Sequence, residues 1–154
     1  MRLLNEPEED FELKAEKIEV NKTVRVAIHD FDKRIDDQEN KKKVIISPKF
    51  KVGETSLTVH VHPQDYREDS KEAIAVYLHN EGKDKITASF TLKHASGVEV
   101  IFENKEINAD SGFGSPEFLS HAAYNKWAGD HGDVFLVEVN VTHMEGQAQW
   151  SSRR

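Results

Sequence analysis

From Thr23 onward the apolar residues fall at every second position. Val24, Val26 and Ile28 share one parity and Arg25, Ala27 and His29 the other, the period of a strand with one buried face. The same alternation recurs in Leu57, Val59 and Val61, in Ile74, Val76 and Leu78, and in Phe90 and Leu92. It returns in Val98, Val100 and Phe102 and in Phe135, Val137, Val139 and Val141. Polar or turn-forming stretches separate these sets: Lys33 to Lys43, Pro63 to Glu72, Asn80 to Lys83, and His94 to Gly97. No long helical stretch alternates with the strands, which argues against a parallel α/β fold. The pattern predicts an all-β fold, an antiparallel β-sandwich.

One segment, Ser111 to Asp133, breaks the rhythm. Ser115, Pro116 and Glu117 have the chemistry of a helix start, and Phe118, Leu119 and Ala122 would then share the buried face of one short helix. Gly129 and Gly132 would return the chain to a strand. Four aromatics (Phe113, Phe118, Tyr124 and Trp127) predict a packed excursion rather than a plain connection.

Residues 1–22 lack the alternation and carry seven acids against four bases. They read either as a short helix, capped by Asn5 with Phe11, Ala15 and Ile18 on one face, or as a solvated acidic tail. Either is too short for a coiled coil. The expected organisation is therefore an acidic tail over 1–22, a sandwich over 23–142 and a C-terminal tail over 143–154.

With 154 residues, 37% hydrophobic and 32% charged, one folded domain is expected. No apolar run approaches membrane-spanning length, and the acidic first stretch does not read as a signal peptide, so a cytoplasmic or nuclear protein without a membrane partner is expected. The absence of cysteine excludes disulfide scaffolds, cysteine-ligated zinc modules and thiol chemistry. A net charge of −7 argues against a nucleic-acid partner.

Three blocks, taken in order, resemble the MATH domain (meprin and TRAF homology), over about residues 23–142. Ser47-Pro48-Lys49-Phe50-Lys51-Val52-Gly53 leads into the strand Leu57 to His62 and Pro63. Ala73-Ile74-Ala75-Val76-Tyr77-Leu78 is similar to the family's alternating strand with an outward tyrosine. Gly112-Phe113, Phe118-Leu119-Ser120-His121 and the strand Asp133 to Val141 resemble its closing blocks. Two departures mark a divergent member: Ser56-Leu57 where the family has a tryptophan, and Val26 in place of the tryptophan that opens W-x-I-x-x-F.

The resemblance implies a sandwich of about eight strands with one short helix, binding short linear peptides in a shallow groove on one sheet. It also implies a non-enzymatic, cofactor-free role as adaptor or as substrate-recruiting part of ubiquitin ligases or receptor signalling. Matched to the family's ligase-adaptor branch, Tyr77 and Phe113 keep their groove aromatics. Ser111 and Ala88 stand where that branch has a tryptophan and a phenylalanine, and Asp110 would add an acceptor or a preference for a basic ligand group. Losing two aromatic anchors at about 2 kcal/mol each costs on the order of a thousandfold in affinity, so that branch's ligand motif is not expected to transfer unchanged. Parity alone puts Tyr77 on the face opposite Ile74, Val76 and Leu78, where it either anchors a peptide or shields the sheet. Phe113 either lines the groove or closes the core.

The alternative chemistry is a metal-dependent, cupin-like sandwich enzyme using His60 and His62. These two lie at i and i+2 of a strand and so point to one side, but the following acid and the second block of that signature are missing. Asp130-His131-Gly132-Asp133 is a weaker candidate loop for a cation, and Ser120-His121 are adjacent in sequence, which does not make a nucleophile and base. Lys41 to Lys43 are answered by Asp36, Asp37 and Glu39.

Overall fold

The computed structural model describes residues 21–36, 44–64 and 72–146. Nine strands and two short helices follow in the order β1 (Lys22–His29), α1 (Phe31–Asp36), β2 (Ile45–Ile46), β3 (Phe50–Val52), β4 (Thr55–His62), β5 (Ala73–Asn80), β6 (Ile86–His94), β7 (Glu99–Ile107), β8 (Ser111–Ser120), α2 (His121–His131) and β9 (Val134–Gly146). They form two antiparallel sheets. One runs β1-β9-β6-β7, and the other runs β2-β4-β5-β8 with β3 also paired to β4.

Each predicted alternation marks one of these strands. Leu57, Val59 and Val61 from β4, Ile74, Val76 and Leu78 from β5, Phe90 and Leu92 from β6, and Phe135 to Val141 from β9 turn inward and form the core. At the sheet margins the burial weakens. Val24 and Val26 are half-buried on the outermost strand β1, and Val98 lies in the turn before β7 and is exposed.

Four expectations need correction. The stretch from Ser111 to Ser120 is a strand, and the helix starts six residues after Ser115, at His121, with the Ser120 side chain accepting the Ala123 amide at 3.0 Å. Pro116 is tolerated in β8 because the β5 ladder jumps there from Val76↔Ser115 to Ile74↔Leu119, leaving a bulge that needs no amide from proline. The same bulge buries neighbouring Phe118 and Leu119 together, whereas Ala122 is exposed and α2 is anchored by Tyr124.

Second, a further helix, α1, occupies the start of what reads as a polar stretch, pinned by buried Phe31 and Ile35 at i and i+4. Third, Gly129 lies inside α2, and Gly132 alone ends it, at φ 99° with its amide bonded to the Ala128 carbonyl. Fourth, β9 continues past 142: Ser89, Ala88, Thr87 and Ile86 pair with His143 to Gly146, and Met144 is buried. The N-terminal tail and residues 147–154 lie outside the described residues.

Two polar clusters fix the ends of the sandwich. Tyr124 donates to Asp133 Oδ1 at 2.7 Å, and the same carboxylate receives the Asp32 amide at 2.9 and 3.1 Å, tying α2, β9 and the first turn of α1 together. At the other end Asn80, fully buried, donates to the carbonyls of Asp84 and Ile107 and accepts the Gly82 amide. Its own carbonyl accepts the Asp110 amide at 2.9 Å. Between its side chain and its backbone carbonyl, Asn80 sets where Glu81 and Asp110 stand.

Candidate interaction surface

Alternation in β4 and β5 sends Thr58, His60 and His62, and Tyr77 and His79, to the outer side of the five-stranded sheet. His60 lies opposite Tyr77 and Thr58 opposite His79. The His60 and His79 rings stack at 4.2 Å and 9°, and His62 meets Tyr77 edge-on at 5.5 Å. Next in the sheet, the outward positions of β8 are Gly112, opposite His79, and Gly114, opposite Tyr77. A belt of rings is therefore bordered by bare backbone.

β8 is the last strand of its sheet, so among the described residues its far edge has no strand partner. Its inward positions belong to the open margin of the sandwich, where β8 meets β7. There Phe113 packs edge-on against Phe102 at 5.5 Å, with Lys105 Nζ 5.6 Å from its ring centroid.

The electrostatics centre on Glu81. Its Oε2 accepts from Thr58 Oγ1 at 2.7 Å and from His79 Nδ1 at 3.0 Å, and lies 3.9 Å from His60 Nε2. The Thr58 hydrogen bond is the largest influence holding the carboxyl below the usual range, against the opposing effect of burial, and that from His79 adds to it. Burial, with His79 and His62 nearby, pushes the His60 imidazole down to about 4, so it is neutral near pH 7.

The five residues expected in the groove do not share one surface. Tyr77 is half-buried on the outer side, and Phe113, opposite Leu78 rather than Tyr77, faces the inner side across the same strand pair. Ser111 opens β8 opposite Asn80, and Asp110, exposed and at φ 55°, precedes it with Oδ1 3.9 Å from His79 Nε2. Ala88 is fully buried in the core and cannot reach an exposed ligand. His79 and Glu81 escaped the sequence reading, although their H-x-E spacing on the strand beside His60-x-His62 was the available signal.

The other chemical candidates resolve into structural roles. Ser120 caps α2 while His121 Nε2 donates to the Pro63 carbonyl at 2.7 Å. In the stretch from Asp130 to Asp133, the Asp133 carboxylate is taken by Tyr124 and Asp32, and His131 Nδ1 donates to Trp127 O. His60 and His62 do point to one side, but His60 groups with His79 and Glu81. No helix among the described residues is long and apolar enough to cross a membrane.

A two-sheet antiparallel sandwich with this strand order and half-buried rings beside its last strand is a fold of the TRAF-like class. The MATH domain profile matches residues 23–141, and the chain belongs to the MATH domain family. Domains of this family are in general non-enzymatic protein-interaction domains. Among solved structures, the chain is similar to TRAF5 of Notothenia coriiceps, at 12% identity and a TM-score of 0.61 over 77% of this chain and 72% of that one, which is a likeness of fold. No curated protein sequence matches the chain.

Proposed function

We propose that this chain is a non-enzymatic recognition domain that holds a short linear peptide segment of a partner protein as an added strand along β8. The observation that carries the reading is the sidedness of that strand. Among the described residues its far edge has no strand partner, its outer face carries Gly112 and Gly114 beside His79 and Tyr77, and its inner face presents Phe113 with Phe102.

Alternate side chains of an extended ligand would then go to two places: one set over the glycines toward Tyr77, the other into the Phe113 margin. Asp110 beside the start of β8 favours a basic or hydrogen-bond-donating group at that end. With Ser111 and buried Ala88 supplying no aromatic anchor, affinity rests on backbone pairing and on Tyr77 and Phe113. The role that follows from the family resemblance is adaptor or substrate recruitment, of the ubiquitin-ligase or receptor-signalling type.

The test is selection of peptides from a displayed library with the isolated chain, followed by titration of the selected peptide against Tyr77→Ala and Phe113→Ala proteins whose folding is verified by circular dichroism. Binding weakened tenfold or more, about 1.4 kcal/mol, supports the site. Unchanged binding by both variants removes it.

A further inference from the structure

We propose that His60, His79 and Glu81 bind one divalent transition-metal cation, with zinc chemistry, on the outer face of the five-stranded sheet. Two imidazoles and one carboxylate are a donor set suited to Zn²⁺, and the three side chains offer ligand atoms all within 4.8 Å of one another. Tetrahedral ligands about 2.0–2.1 Å from zinc are roughly 3.4 Å apart. The separations from Glu81 Oε2 bracket that value, at 3.0 Å to His79 Nδ1 and 3.9 Å to His60 Nε2.

The stacked rings have lone pairs that run side by side, so one ring must tilt for both nitrogens to meet an ion. His60 can do so at the expense of its stack on His79 alone: its Nε2 is buried with no hydrogen-bond partner among the described residues, so tilting breaks no hydrogen bond of that atom. An unpaired buried nitrogen is itself a cost that an ion would relieve. The Glu81 carboxylate supplies the anionic ligand that a dication seeks beside the two imidazoles.

The surroundings hold the ligands in place. Thr58 Oγ1 fixes the Glu81 carboxylate at 2.7 Å, and the Glu81 amide is bonded to the Ser56 carbonyl. When His79 Nδ1 turns to the ion, its proton resides on Nε2, which faces Asp110 Oδ1 at 3.9 Å. A small closure completes the carboxylate–histidine–metal relay that orients metal-bound imidazoles. The three ligands leave a fourth position for water. The site shares His79 and Asp110 with the proposed peptide surface but is argued from its own donor geometry.

The experiment is calorimetric titration of ZnCl₂ into untagged, chelator-stripped protein near neutral pH, with the wild type, His79→Ala, Glu81→Gln and, as a control on the opposite sheet, His143→Ala. We expect one equivalent at a Kd of about 1 µM or tighter, weakened at least 10-fold in the first two variants, as for lost metal-site groups, and unchanged in the control. Zinc should also raise the melting temperature of the wild type and not that of Glu81→Gln, the variant that best preserves the fold. No saturable binding up to about 100 µM, or full binding by folded Glu81→Gln, overturns the proposal.

Discussion

Tyr77 stands opposite Gly114 in the β5–β8 ladder, and a Cβ at Gly114 would collide with the Val76 carbonyl oxygen and lie 2.6 Å from Tyr77 Cα. Glycine is thus required by close backbone approach, and it leaves the tyrosine uncovered on its β8 side. One residue serves both the packing of the sheet and the shape of the surface.

Gly114→Ala should accordingly destabilise the fold by about 2–3 kcal/mol, the upper part of the span for forced overpacking. Gly112→Ala meets the Leu78 carbonyl at 3.3 Å and His79 at 3.4 Å, and should cost less than half as much. Denaturant melts of the two variants check the order; equal midpoints would show that the ladder relaxes around Gly114.

Tyr124→Phe removes the donor to Asp133 and should cost about 1–2 kcal/mol; the Tyr124 hydroxyl, its pKa raised by burial and by Asp133, stays protonated throughout the physiological range. Asp133→Ala should cost more, because it also uncaps α1 at Asp32. A thermal melt that ranks Asp133→Ala at or above wild type would contradict this linkage.

His94 is fully buried among Trp127, Phe135 and Tyr124, and burial pushes its imidazole down to about 4 from its ordinary value near 6.5. Between those pH values the unfolded chain holds the extra proton. Stability is therefore full above pH ~6.5 and is lost as pH falls toward 4, by up to roughly 3 kcal/mol from this residue. His60 adds in the same direction. Chemical melts at several pH values should show a shallower acid slope for His94→Gln than for wild type; parallel slopes would refute the assignment.

Across the outer side of the four-stranded sheet, Arg25, Glu138, Lys93 and Glu99 stand in one register row of alternating sign, with Arg25 Nε 3.0 Å from Glu138 Oε2. Glu138→Lys places three cations side by side and should cost about 0.5–1 kcal/mol at low salt, most of it recovered in high salt. A salt-independent loss would point to packing instead.

The sandwich was legible because alternation in β4, β5, β6 and β9 is set by burial, a property each strand carries locally. Ser115-Pro116-Glu117 misled because a helix-start triplet and a bulged edge strand share the same chemistry, and only the need of β5 for a partner decides between them. Phe31 and Ile35 span too short a piece to signal α1. Parity put Tyr77 outside correctly, but its pairing with Gly114 rather than Phe113, like the meeting of His60 with His79 and Glu81, depends on cross-strand register, which one strand's sequence does not encode. Ala88 illustrates the cost of transferring a position without its surroundings: it lies fully buried in the core.

If β8 receives a peptide as proposed, its amides and the rings beside it respond to the ligand. Amide and side-chain shift mapping by NMR, with a library-selected peptide titrated into labelled protein, tests it most directly. Perturbations are expected at Asp110 to Ser115, Tyr77 and His79, with strand-type contacts between peptide backbone and β8. Perturbations centred instead on Ala27 and Leu136 of the opposite sheet, with β8 silent, would contradict it.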